Sequence, residues 1–265
     1  MARVSIKNIV WNLVFVLFPV GICSAQSVLY FPQFVDGSQK PLATVGWTTA
    51  LTITNPSAPG TPPATGTITL SNDDGTSMNI TLLDENGAPA PNTFQLAGGQ
   101  TKVFLSPQSN ANGGLLPFNS GFAAVTSDLP VTGSLVINEL NSSGPSAMAG
   151  IPASPVLTAQ ATVAAVNQSD PNDPQNTGVA IANPGANTAT ITFLLLDQYG
   201  NSVAPQVTRM LAANNHTAFL VTDLFPNAAP NILGTLRITS DNPVASMALL
   251  FQGPRFASLP MFILP

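Results

Sequence analysis

The sequence predicts an all-β protein, two tandem antiparallel β-sandwich domains behind an N-terminal export signal. Three observations predict it. Short Val, Ile, Leu and Phe runs alternate with Thr, Ser and Asn, and 45% of residues are hydrophobic while only 7% are charged. A six-residue phrase, TSDLPV from Thr126 to Val131, returns as TSDNPV from Thr239 to Val244. No window of about twelve residues sustains the 3.6-residue apolar period of a helix.

The chain opens with MARVSIKNIVWNLVFVLFPVGICSAQS. Arg3 and Lys7 precede an apolar run from Ile9 to Ile22, and Cys23-Ser24-Ala25 supplies small residues for cleavage. This is the pattern of a secretory signal peptide over residues 1–25. The run is too short and broken for a membrane span of about 20 residues. A retained anchor and a Cys23 lipoprotein are weaker fits, since Ile22 stands where a lipobox needs a small residue. Cleavage after Ala25 removes the single cysteine. The exported chain must then be stabilised by buried apolar area, without disulfides. The full chain carries a net charge of −5, and loss of Arg3 and Lys7 makes it more negative. That sign disfavours nucleic acid and anionic lipid as partners.

The repeated phrase sits in a longer duplication. ALTITNPS (Ala50 to Ser57) matches GVAIANPG (Gly178 to Gly185), and GTITLSNDDG (Gly66 to Gly75) matches ITFLLLDQYG (Ile191 to Gly200). LAGGQTKVFL (Leu96 to Leu105) matches LAANNHTAFL (Leu211 to Leu220). The order is conserved, and the spacing shrinks in the second copy because the first carries insertions near SAPGTPP and LLDENGAPA. In ALTITNP, Leu51 and Ile53 alternate with Thr52 and Thr54; Val179 and Ile181 hold the same phase in the second copy. That period of two is a half-buried strand, which Asn-Pro ends. Asn72 to Gly75 and Asp197 to Gly200 read as turns, with glycine at positive φ. In the repeated phrase, Val125 and Ile238 end one strand and Val131 and Val244 begin the next. Asp128 and Pro130, and Asp241 and Pro243, are structural turn formers: aspartate caps free amides and proline fixes φ. One helical turn is predicted at TDLFPN, with Thr222 as N-cap. Each copy holds seven or eight strands at sandwich spacing. The boundary falls in GIPASPVLTA, giving domains at 26–157 and 158–265.

The series FPQFVDG, W-T-T-x-L-x-I-x-N-P, TSDLPV, GIPASP and H-T-A-F-L-x-x-D-L-F-P resembles a duplicated module of secreted bacterial proteins of the acidobacterial type. The resemblance implies export and paired Ig-like sandwiches. It implies no activity and no catalytic residues.

The chemistry-bearing residues are few. His216 is the only histidine, no G-x-S-x-G element accompanies it, and Thr101 holds the matching position in the first copy; it reads as a surface or loop-packing residue. Zinc would need more nitrogen or sulfur ligands. Asp73/Asp74, Asp84/Glu85 and Asp197 could pair as glycosidase carboxylates, but all sit in turn contexts. No Gly-rich phosphate loop opens a helix. Calcium is the one cofactor with candidate ligands, Asp170 and Asp173 in SDPNDPQN; an Asx-rich turn accounts for the same residues. The expectation is a non-enzyme without a cofactor, located outside the cell or in the periplasm. It would have no membrane span after cleavage and would display Thr/Asn-rich faces to an extracellular protein or polysaccharide. The alternative is a carbohydrate- or ligand-binding module with Trp47 and Tyr199 as contacts. An outer-membrane barrel fits poorly, because the chain is rich in proline and poor in aromatics.

Overall fold

A computed structural model of the chain describes residues 26–38, 46–107, 117–141, 144–154 and 157–263. The signal stretch lies outside the described residues. The structure is 63% strand and 2% helix, and every strand pair is antiparallel. No described helix is long and apolar enough to cross a membrane.

The first half contains eight strands: β1 (Ser27–Asp36), β2 (Gly46–Thr54), β3 (Ala64–Asn72), β4 (Thr93–Leu96), β5 (Thr101–Leu105), β6 (Asn119–Ser127), β7 (Thr132–Asn141) and β8 (Gly144–Pro152). They form two sheets, β1-β6-β3-β4 and β5-β2-β7-β8. Phe31 from the first sheet and Leu51, Ile53, Phe104 and Leu135 from the second are fully buried in one shared cluster. Two sheets face to face over one core make a sandwich-like body.

The second half contains β9 (Thr158–Gln168), β10 (Gln175–Ala182), β11 (Ala189–Asp197), β12 (Val207–Leu211), β13 (His216–Leu220), the one-turn helix α1 (Val221–Leu224), β14 (Ile232–Gln252), β15 (Arg255–Leu259) and β16 (Phe262–Ile263). One correction arises at the repeated phrase. TSDNPV does not separate two strands; it lies inside the 21-residue β14. The register with β9 shifts between Thr239 and Val244. Before the shift β14 pairs with β9 and β11; after it, with β10 and β15 and, at Val244 alone, with Thr158 of β9. The pairing order of the first half is therefore repeated, with one bent strand doing the work of β6 and β7. The bend sits where Pro243 offers no amide to a ladder.

Local contacts repeat as well. Asp128 Oδ1 accepts the Thr65 amide at 2.7 Å, and Asp241 Oδ1 accepts the Thr190 amide at 2.7 Å. The aspartate thus caps the start of a neighbouring strand, a long-range bond added to its local ones. The Asn-Pro asparagines are both fully buried. Asn55 Nδ2 donates to Leu96 O at 3.0 Å, and Asn183 Nδ2 reaches Leu211 O at 2.9 Å, Asn187 O at 2.8 Å and Ala212 O at 3.1 Å. Each holds the end of its strand to the end of β4 or β12. Gly75 and Gly200 close the predicted turns at φ 81° and 84°. The helix is one turn, as predicted, but Leu220 is its N-cap and Asp223 Oδ2 accepts the Leu220 amide.

Leaving a buried carbonyl unpaired costs about 1–3 kcal/mol. Asn183→Ala should therefore lower stability by about that amount, and by more than Asn55→Ala, which frees one carbonyl. Urea midpoints for the two variants check the order.

Candidate functional site

The sequence-predicted residues do not converge on one pocket. Tyr199 stands 79% exposed at the tip of the turn after β11. Trp47, near the start of β2, is half-buried, and its ring lies 5.7 Å from Phe256 of β15. A shallow cleft of about 590 Å³ opens over Thr65, Thr67, Thr93 and Thr126, and neither aromatic candidate lines it.

The acidic residues are occupied by backbone. Asp74 Oδ1 accepts the Thr76 amide at 3.0 Å, Asp84 Oδ1 those of Asn86 and Ala88 at 2.9 Å, and Asp197 Oδ1 those of Tyr199 and Asn201 at 2.9 and 2.8 Å. The Thr65 hydroxyl and amide hold the Asp128 carboxyl below its ordinary pKa. Bonds led by Thr76, by the Asn201 amide and by the Thr190 amide do the same for Asp74, Asp197 and Asp241. Asp170 Oδ1 accepts the Asn172 amide, and both Asp173 oxygens take the Gln252 amide at 2.9 Å. Among the described residues, no three His, Cys, Asp or Glu lie together.

What the structure does assemble is a junction between the halves. Strand β10 is buried from Thr177 to Ala182 without alternation. Val179 and Ile181 belong to the second core, whereas Ala180 belongs to the first, together with Met247 and Leu249 of β14 and Phe256. Trp47 and Phe251 pack against the same first-core cluster, and Phe251 lies 5.8 Å from Phe256. The outer face of the β10-β14-β15 sheet is thus a docking face for the first half. Gly178 belongs to this arrangement: an added Cβ would meet the Phe251 ring at 2.8 Å.

A polar contact flanks the apolar seam. His216 is 3% exposed and packs on the Asp73 turn, so of the two readings, surface or loop-packing, the second fits. Its Nδ1 lies 2.7 Å from Asp73 Oδ1, and its amide donates to Asp73 O at 3.1 Å. Asn215, its amide nitrogen turned to the carbonyls, reaches Asp74 O at 3.0 Å. The turn of one half is gripped by the hairpin of the other.

No family model matches the chain, and no curated protein matches it in sequence. Among solved structures it is similar to the allantoicase of Saccharomyces cerevisiae, at 9% identity and a TM-score of 0.19, over 86% of this chain and 80% of that one. It is also similar to BcpA, the major pilin subunit of Bacillus cereus, at 11% identity and a TM-score of 0.19, over 84% of this chain. The chain spans 59% of the length of that pilin. At such TM-scores neither likeness bears on chemistry.

Sequence reasoning missed the junction, although a signal was present. The positions out of phase with the core are Thr52 and Thr54 in the first copy, and Ala180 and Ala182 in the second. Small apolar residues on a nominally solvent-facing phase mark a second buried face.

A single side-chain hydrogen bond contributes about 0.5–1.5 kcal/mol, whereas truncating a buried aromatic costs about 3–5 kcal/mol. Phe256→Ala should therefore destabilise by about 3 kcal/mol or more, and His216→Ala by about 1–2 kcal/mol. Denaturant unfolding of the two variants should rank them in that order, and Phe256→Ala should separate the unfolding of the halves into two transitions.

Proposed function

We propose that this is a secreted, non-catalytic protein of structural or adhesive role, exported by cleavage of residues 1–25. It consists of two tandem Ig-like sandwich domains at 26–157 and 158–265. The repeated pairing order, the paired aspartate caps and the paired buried asparagines support the duplication. The halves are coupled by the junction, so their outer faces and loops are presented to an extracellular protein or polysaccharide in a fixed relation.

The observation that carries the non-catalytic reading is the use made of the turn carboxylates. A general acid needs a raised pKa and a free oxygen facing substrate. Asp74, Asp128, Asp197 and Asp241 have lowered pKa values and oxygens committed to amides and hydroxyls. They act as turn and strand caps.

The test uses the secreted form of the protein against a hydrolase panel and an array of glycans and extracellular proteins. The expected result is saturable binding to a macromolecular partner without turnover. Turnover abolished by Asp197→Ala would overturn the reading. Glycan binding abolished by Trp47→Ala, with stability retained, would replace it with a carbohydrate-binding module. Tyr199→Ala should leave stability within about 0.5 kcal/mol of wild type, because its side chain packs against little; thermal unfolding measures this.

A further inference from the structure

The first core contains a carboxylate that no part of the proposed role uses. Asp36, the last residue of β1, is 0% exposed, and neither of its oxygens makes a well-formed hydrogen bond. It lies beside the junction: the next residue, Gly37, exchanges backbone bonds with Trp47 at 3.0 and 2.7 Å, and Trp47 packs on Phe256.

Burying an ionised carboxylate without a partner is costly, and the group escapes by taking a proton. The neighbourhood offers little to keep it charged. Among the described residues, the Ser106 hydroxyl and the Gly37 amide favour the anion, and burial outweighs both, raising the pKa to about 6. Strands β2 and β6 carry no charged residue. From β5 comes Lys102, whose Nζ sits 5.0 Å over the Phe104 ring. From β7 comes Glu139, paired with Trp47, and from β15 the exposed Arg255. Just past the end of β3 lies Asp73 with His216, tied in through the Asp73 amide on Ser120 O, and Ser120 pairs with Val35.

The duplication supplies an internal comparison. Asp36 pairs with Asn119 and Val35 with Ser120; in the second half Asn167 pairs with Ile232 and Val166 with Leu233. The position equivalent to Asp36 is thus an asparagine. Asn167 is half-buried, whereas Asp36 is fully enclosed, so the first half alone both buries the group and makes it one that can titrate.

We propose that Asp36 is a proton-binding group of the folded state, neutral inside the first core, which makes the junction end of the molecule firmer in mildly acidic surroundings than at neutral pH. The effect has a definite sign. A raised carboxyl pKa means that the folded chain binds more protons than the unfolded one between pH 3.8 and about 6. Stability falls as pH rises through that window and stays reduced above it. Asp74, Asp128, Asp197 and Asp241, with lowered pKa values, act oppositely: their contribution is present above 3.8 and is lost as pH falls further. Stability should therefore peak between the two ranges.

The experiment is urea unfolding of wild type and Asp36→Asn across roughly pH 4 to 8. A shift of about two pH units corresponds to about a 100-fold loss of the wild-type folding constant over the window. Asp36→Asn should be flat there and more stable than wild type at neutral pH. Infrared spectra of wild type should show a protonated carboxyl band at about pH 5.5 that titrates away by about pH 8 and is missing in Asp36→Asn. Parallel pH profiles for the two proteins would overturn the proposal. If Asp36→Asn does not fold, absence of the titrating band in wild type would overturn it equally.

Discussion

The structure depends on a sheet that is buried on both faces. In an ordinary sandwich each sheet offers one face to the core and one to water, and the side chains alternate accordingly. Strands β10 and β14 break that arrangement. Val179 and Ile181 close the second core, while Ala180, Met247 and Leu249 complete the first. Neither core is whole without this shared layer. The chain lacks disulfides among its described residues and has few charges, so a large apolar contact is the means available for fixing one half against the other. The His216–Asp73 bond at the periphery, with Asp73 59% exposed, contributes orientation more than energy.

The two halves satisfy the same backbone with the same polar devices and fill their cores with different side chains. Buried asparagines and capping aspartates recur at matched positions because the strand ends they serve recur; unpaired amides and carbonyls there would be costly in both copies. Core volume is less constrained. Gly66 pairs with Phe94, whose ring lies across the space a side chain at Gly66 would occupy. The matching pair in the second half is Ile191 and Arg209. Ile191 is fully buried, and Arg209 is exposed. One half fills the space from the edge strand and the other from the central strand, as volume-conserving repacking permits.

Much of the strand pattern was legible because it rests on local rules. Alternation at Leu51 and Ile53, Asn-Pro at strand ends and positive-φ glycines at 75 and 200 each follow from sterics over a few residues. Contacts across long separations were not legible. Asp128 is visible in sequence as a turn former, yet its partner is Thr65, and nothing local names that residue. His216 drew attention as the lone imidazole, but its burial depends on a turn some 140 residues earlier. The continuity of β14 was hidden for a similar reason: Pro243 locally signals a break, and pairing on both sides of the bend overrides it. Asp36 gave no sign at all, since an aspartate before glycine at the end of a strand reads as a solvated turn.

The docking face has a consequence for assembly. It is apolar on the second half alone; the matching face of the first presents Thr52 and Thr54 on β2 and Lys102 on β5. Because this apolar sheet face is already covered inside the polypeptide, this mode of contact closes after a single step. Open-ended polymerisation would need another sticky surface of the same kind, and the first half presents threonine and lysine at those positions. Any larger array built from these molecules must grow through a chemically different contact.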